Sequence, residues 1–144
     1  MKMSIIPMIV ISLIAGLLST MNVWTYNVNH IRFHLNDVYM ALLMTSWMIV
    51  LDSIYHYNDH QNNDYQNNIA IIIGIISIIV LIYLIKNQVL IDDKQFINGM
   101  IPHHSMAILM AEKIKNKSKN KKIIDLANNI IKTQNKEIEY MKLI

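Results

Sequence analysis

The chain has 144 residues, 53% of them hydrophobic, with 13 lysines and arginines against 10 acids for a net charge of +3, and no cysteine. Apolar content this high, gathered in blocks, excludes an ordinary soluble single-core domain. The lack of cysteine excludes disulfides, thiolate metal sites and thiol catalysis.

The first apolar block, residues 4–21, follows Lys2, carries no charged side chain and is just long enough to cross a hydrocarbon layer of about 30 Å. A signal peptide is the rival reading. It is disfavoured because the run exceeds the usual apolar region of about 7 to 15 residues and no small-x-small cleavage site follows. The linker Asn22–Asn36 holds Trp24, Tyr26, His30, Arg32 and His34. Its aromatics suit a membrane interface, and with no third ligand nearby its two histidines are expected to be exposed in a loop.

The second span is expected near residues 36–57. Its uncharged part, Val38–Leu51, is short, but Asn36 and Asp37 offer an N-cap and the helix can continue through Asp52 to Tyr55, His56 and the interfacial Tyr57. Met40, Met44, Met48, Asp52 and His56 recur every four residues. This stripe reads as helix packing by flexible methionines with Asp52 and His56 near the headgroups, in preference to a metal-conducting path. Tyr57–Asn68 reads as a hydrated loop. The third span, residues 69–85, is dominated by isoleucine and bounded by Asn68 and Lys86, and its length argues for a helix in lipid.

Beyond Lys86 the pattern becomes amphipathic. This divides the chain into a membrane domain, 1–91, and a C-terminal domain, 92–144. Asp92 or Asp93 can cap a helix reaching about Lys115, Asn116–Asn120 form a turn, and a second helix runs from about Lys121 to Leu143. Pro102 frees the carbonyl of Asn98, which means either a kink one turn before His103 or a helix that starts at Pro102. Lys113, Lys115, Lys117, Lys119, Lys121 and Lys122 crowd the turn. Lacking interleaved aromatics, they read as solvated charge and not as a nucleic-acid surface.

Polar chemistry concentrates on the apolar faces of this hairpin. With His103 as the origin of a regular helix, His104 lies at about 100°, Met100 at about 60°, Ala107 at about 40°, Phe96 and Ile114 at about 20°, and Met110 about 20° to the other side. Both imidazoles are therefore expected on one buried arc. On the second helix, Met141 lies about 20° and Glu137 about 60° to one side of Gln134, beside Ile123, Ala127, Ile130 and Ile138. Neutral imidazoles with thioethers favour copper. His103 and His104 are the expected ligands, Met100 with Met110 or Met141 the soft contacts, and Glu137 with Gln134 orient a ring or bind directly. The competing reading has no ion, with the histidines hydrogen-bonded to Glu137 and Gln134 while the methionines fill the core. Adjacent rings diverge by about 100°, so one can ligate while the other orients.

No Glu-x-x-His pair, nucleophile triad or phosphate-binding glycine loop is present, so no enzymatic activity is expected. Two helices in about 50 residues bury little area, so two copies are expected to associate into a four-helix bundle.

Met100-Ile101-Pro102-His103-His104, within Phe96–Ala111, and Gln134-Asn135-Lys136-Glu137-Ile138-Glu139-Tyr140-Met141 resemble the domain of unknown function 305 family over roughly the last 50 residues. Thr25-Tyr26, His30 and Met40–Met44 resemble its multi-pass members. The resemblance implies a ferritin-like helical bundle and, for some members, copper binding or copper resistance. Multi-pass relatives have basic residues between spans two and three, where this chain has Asp59 and Asp64. Orientation stays open: Lys2 against Arg32, Lys86 and Lys94 favours a cytosolic C-terminus, the relatives' pattern an external one. The resulting expectation is an all-α membrane protein with three transmembrane helices and a half-bundle completed by dimerisation. Its partners would be a lipid bilayer and a second copy, without nucleic acid, and its ligand copper. The competing class is a structural or interaction protein of a cellular or viral membrane.

Overall fold

The computed structural model describes residues 5–56 and 64–144, all helical or irregular, with no strand among the described residues. The described residues form five α-helices in chain order: α1 (Ile5–Leu18), α2 (Leu35–Tyr55), α3 (Asp64–Lys86), α4 (Asp93–Lys115) and α5 (Lys121–Met141). Two short 3-10 turns, Met21–Trp24 and Val28–His30, lie between α1 and α2. Residues 5–20, 35–56 and 64–90 belong to one compact unit, and residues 21–34 and 91–144 form another.

Three stretches in or about the first unit are long and apolar enough to cross a membrane: Ile6–Trp24, Leu35–Tyr55 and Tyr65–Lys86. Within this unit α2 packs against both α1 and α3, and small residues mark both contacts. A Cβ on Gly16 would stand 2.7 Å from the Ala41 Cα, and one on Gly74 would stand 2.5 Å from the Val50 Cγ2. Only glycine permits helices to approach this closely. The hydroxyls nearby are satisfied within their own helix, since Thr45 Oγ1 donates to the Ala41 carbonyl and Ser46 Oγ to the Leu42 carbonyl, each at 2.9 Å.

Two expectations change here. The third helix begins at Asp64, about five residues ahead of its apolar block. Buried Asn67 explains this extension, because its side-chain amide donates to the His56 carbonyl at 3.3 Å and caps the end of α2. The remainder of the expected loop, residues 57–63, lies outside the described residues, as do Lys2 and Ser4. The methionine stripe is also corrected. Met40, Met44 and Met48 are 40–47% exposed, whereas Ala41 and Thr45 are buried, so small residues and not the methionines carry the buried face of α2. Asp52 and His56 at the stripe's end pair with each other at 3.4 Å.

The second unit is built on an α4–α5 hairpin whose ends follow local chemistry. Asp92 Oδ1 accepts the Gln95 N–H at 2.7 Å, Asn120 Oδ1 accepts the Lys122 N–H at 3.0 Å, and Lys142 N–H closes α5 onto the Ile138 carbonyl. α4 runs unbroken from Asp93 through buried Pro102, which excludes a start at the proline. Ile101, Ile108 and Ile138 form the core, with Ile97 and Met141 against it and Ala111 and Ala127 buried beside it. Of the expected α5 stripe, Ala127 and Ile138 are buried and Ile130, Gln134 and Met141 half-buried, while Ile123 and Glu137 are exposed.

Candidate functional site

The segment expected to be an exposed linker is folded onto α4. Asn22 closes it, donating from Nδ2 to the Arg32 carbonyl and accepting the Arg32 N–H at Oδ1, both at 2.9 Å. Asn27 Oδ1 accepts the Asn29 N–H and starts the turn that carries His30. A loop pinned at its ends in this way holds its own side chains in place.

Four groups of this segment meet one stretch of α4. Met21 Sδ lies 3.2 Å from His103 Nδ1. Ser105 Oγ accepts the Tyr26 N–H at 2.9 Å and lies 3.0 Å from His30 Nδ1. The His34 ring rests on Gly99, where an added Cβ would come within 3.4 Å of it. The expectation of exposed His30 and His34 is therefore overturned, since they are 6% and 3% exposed. Alternation and spacing within the linker carry no sign of this, because the partners, Ser105 for His30 and Gly99 for His34, are more than 60 positions away in sequence. A glycine inside a helix was the one available signal.

Burial lowers the affinity of His30 for a proton, and Lys142 and Arg32 lower it further against the opposing pull of Glu139. The ring is thus neutral at pH 7, and Nδ1 shares a hydrogen bond with the Ser105 hydroxyl. Ser105 has 0% exposure. This pair resembles a nucleophile and its base, but a substrate has no access to it, and its work is to fasten the segment to α4.

The second imidazole faces the other way. His104 Nδ1 lies 3.3 Å from Glu137 Oε2, an ion-pair distance without hydrogen-bond alignment. Burial depresses its proton affinity, Glu137 raises it and His103 lowers it. The carboxylate is about half exposed, so the pair itself adds little stability.

Of the expected site residues, the structure brings together His103 and His104, with ring centroids 6.2 Å apart, and His104 with Glu137. The expectation that both rings share the buried arc is corrected. His104 is half-buried beside α5, while His103 is exposed and meets Met21, a thioether not among the expected ones. Met141 packs into the isoleucine core. Met110 is 62% exposed and about 10 Å along the helix from His103. Met100 and Gln134 are half-buried. Among the described residues, no three His, Cys, Asp or Glu side chains converge as a metal-holding group. What remains is a pair of unlike soft donors, Met21 and His103, at the surface of a rigid helix.

A family model for a domain of unknown function (DUF305) matches residues 83–144. An uncharacterized protein of Acanthamoeba polyphaga mimivirus is 47% identical to the chain over 140 residues, covering 97% of this chain and 90% of that protein. No solved structure matches. With the match to the family model lying on the hairpin unit, and a full-length relative beside it, the chain belongs to the DUF305 family.

Proposed function

We propose that this chain is a multi-pass membrane protein whose hairpin unit binds a soft metal ion, copper(I) in the first place, without catalysing a reaction. The observation that carries the reading is the 3.2 Å approach of Met21 Sδ to His103 Nδ1. Donors on one ion, at about 2.0 Å for nitrogen and about 2.3 Å for sulfur, stand roughly 3 to 4 Å apart, and the observed spacing lies in that range. Thioether sulfur selects copper(I) over harder ions. Met21 and His103 would hold the ion, while Glu137 fixes the ring of His104 one residue on. Met100 and Gln134 stand on the same two helices as secondary donors. Burial of Met141 and the distance of Met110 count against both as ligands of the same ion. Three helices long and apolar enough to cross a bilayer support the anchorage.

The competing reading is a structural or interaction protein of a membrane with no bound ion. One observation favours it: His30, His34 and His104 are all used in packing within the protein. The viral source of the similar protein supports a viral membrane as the setting for either reading.

Copper retained by the full chain, purified in detergent and loaded anaerobically with copper(I), decides between them. Met21→Leu and His103→Ala are each expected to weaken copper(I) binding at least tenfold while leaving zinc uptake low throughout. Equal copper content in wild type and both variants would sink the metal reading.

A further inference from the structure

α4 is apolar on three sides, and its own unit covers two of them. α5 covers the side of Ile97, Ile101, Ile108 and Ala111. The segment 21–34 covers the side of Gly99 and Ser105. The third side, spanning about 80° of the helix, carries Phe96, Met100, His103, Ala107, Met110 and Ile114. Phe96, Met110 and Ile114 are 53%, 62% and 44% exposed.

We infer that a second copy of this chain docks on that third side, helix against helix, and that the pairing completes the donor set at His103. The six residues are spaced 4-3-4-3-4, so two copies of the face can interdigitate as a helix–helix seam. No charged side chain occurs from Gln95 to Ala111, so two copies of the face meet without repulsion and without stripping water from a charge. The seam is also self-complementary. Pairing in opposite directions sets Phe96 on Ile114, Met100 on Met110, and the imidazole of His103 on the small Ala107.

The chemistry at its centre points to the same occupant. Met21 and His103 supply two donors, and among the described residues no three His, Cys, Asp or Glu side chains converge. Seam pairing in either direction brings the two His103 positions level or within about 6 Å along the helix axes. Two copies then offer two imidazoles and two thioethers, the four soft donors that suit copper(I). This last step rests on the metal reading above. The pairing does not.

The absence of native cysteine makes cross-linking the direct test. In the full chain in detergent, Phe96→Cys combined with Ile114→Cys is expected to give a disulfide-linked dimer under mild oxidation without copper. Lys132→Cys, on the outer face of α5, should give none. Phe96→Cys alone links a parallel pair and remains unlinked in an antiparallel one, since the two ends of the seam lie about 27 Å apart. Met110→Glu, at a position exposed within one chain, is expected to convert a sedimenting dimer to a monomer with unchanged helix content. No cross-link from the double-cysteine variant beyond the Lys132→Cys background, or a Met110→Glu protein that remains dimeric, would overturn the pairing. Copper(I) separates the two ideas. Linked dimers that hold no copper leave the pairing standing and remove the metal reading, whereas a monomeric Met110→Glu protein holding one copper per chain at wild-type affinity defeats the shared site.

Discussion

The two compact units are held together by opposite means. In the unit of α1, α2 and α3, glycines set the closest helix approaches and small polar residues are buried beside Met8, Val50, Ile78 and Leu81, while most isoleucines and Met40, Met44 and Met48 are exposed. In the unit of α4 and α5, isoleucines occupy the contact, and polar side chains fasten the surrounding segment. The difference follows from the solvent each unit suits. An apolar helix gains nothing by exchanging lipid for another apolar side chain, so close backbone approach and satisfied hydroxyls determine which faces meet. A hairpin in water gains from every buried isoleucine, and buried polar groups must bring their own partners.

The sharpest test of that contrast is Ile138→Ala. Its side chain is 1% exposed at the centre of the hairpin core. The variant is expected to lose about 3 to 4 kcal/mol in chemical denaturation of the hairpin unit, with α1–α3 helicity retained to higher denaturant. Next in size is Gly16→Val, which drives a side chain into the Ala41 backbone and is expected to cost about 2 to 3 kcal/mol, read as lower thermal stability in detergent. A variant as stable as wild type would show that α1 and α2 do not meet at these residues.

Ser105→Ala is expected to cost about 2 kcal/mol, because the Tyr26 N–H and His30 lose their shared partner. Its signature is faster proteolysis between residues 21 and 34, with the hairpin core intact. Acid acts on the same fastening. Since His30 binds its proton less readily when folded than at its free value of 6.5, the unfolded chain holds more protons in the window just below that value. Stability of the hairpin unit should therefore be full above about pH 7, fall as pH drops through 6.5, and level off below the folded value. His30→Gln should flatten that slope, and an unchanged slope would acquit this ring.

The smallest effect is expected at the end of α3. Gln88 and Leu90 both adopt positive φ, 49° and 60°, and Leu90 is well exposed. Leu90→Gly removes a left-handed side chain at almost no cost in contacts and should stabilise the chain by about 1 kcal/mol in a thermal melt.

Much of the architecture was legible because it is local. Asp92 and Asn120 were readable as caps or turn residues, the apolar blocks as helices long enough to cross a membrane, and Ala127 and Ile138 as part of the buried face of α5, since each depends on neighbours within a few positions. The approach of His104 to Glu137, 33 positions apart, was legible because a short turn folds the two periodic helices back on each other. The readings that failed were of another kind. His30 and His34 looked like loop histidines because the pockets that bury them are made by residues more than 60 positions away.

α4 shows where that boundary lies. From Gln95 to Ala111 it carries no charge, so periodicity marks no outer side, and three arcs were equally fit to be buried. The sequence by itself determined that this stretch is helical, that it ends near Lys115, and that imidazoles and a thioether ride on it, while a start at Asp93 or at Pro102 stayed open. Only the tertiary structure decided that Ile101 and Ile108 face α5, that Ser105 takes the segment 21–34, and that His103 is left at the surface beside Met21. A backbone specifies its helices through bonds four residues apart, whereas the choice among equivalent apolar faces belongs to whichever distant segment fits one of them best.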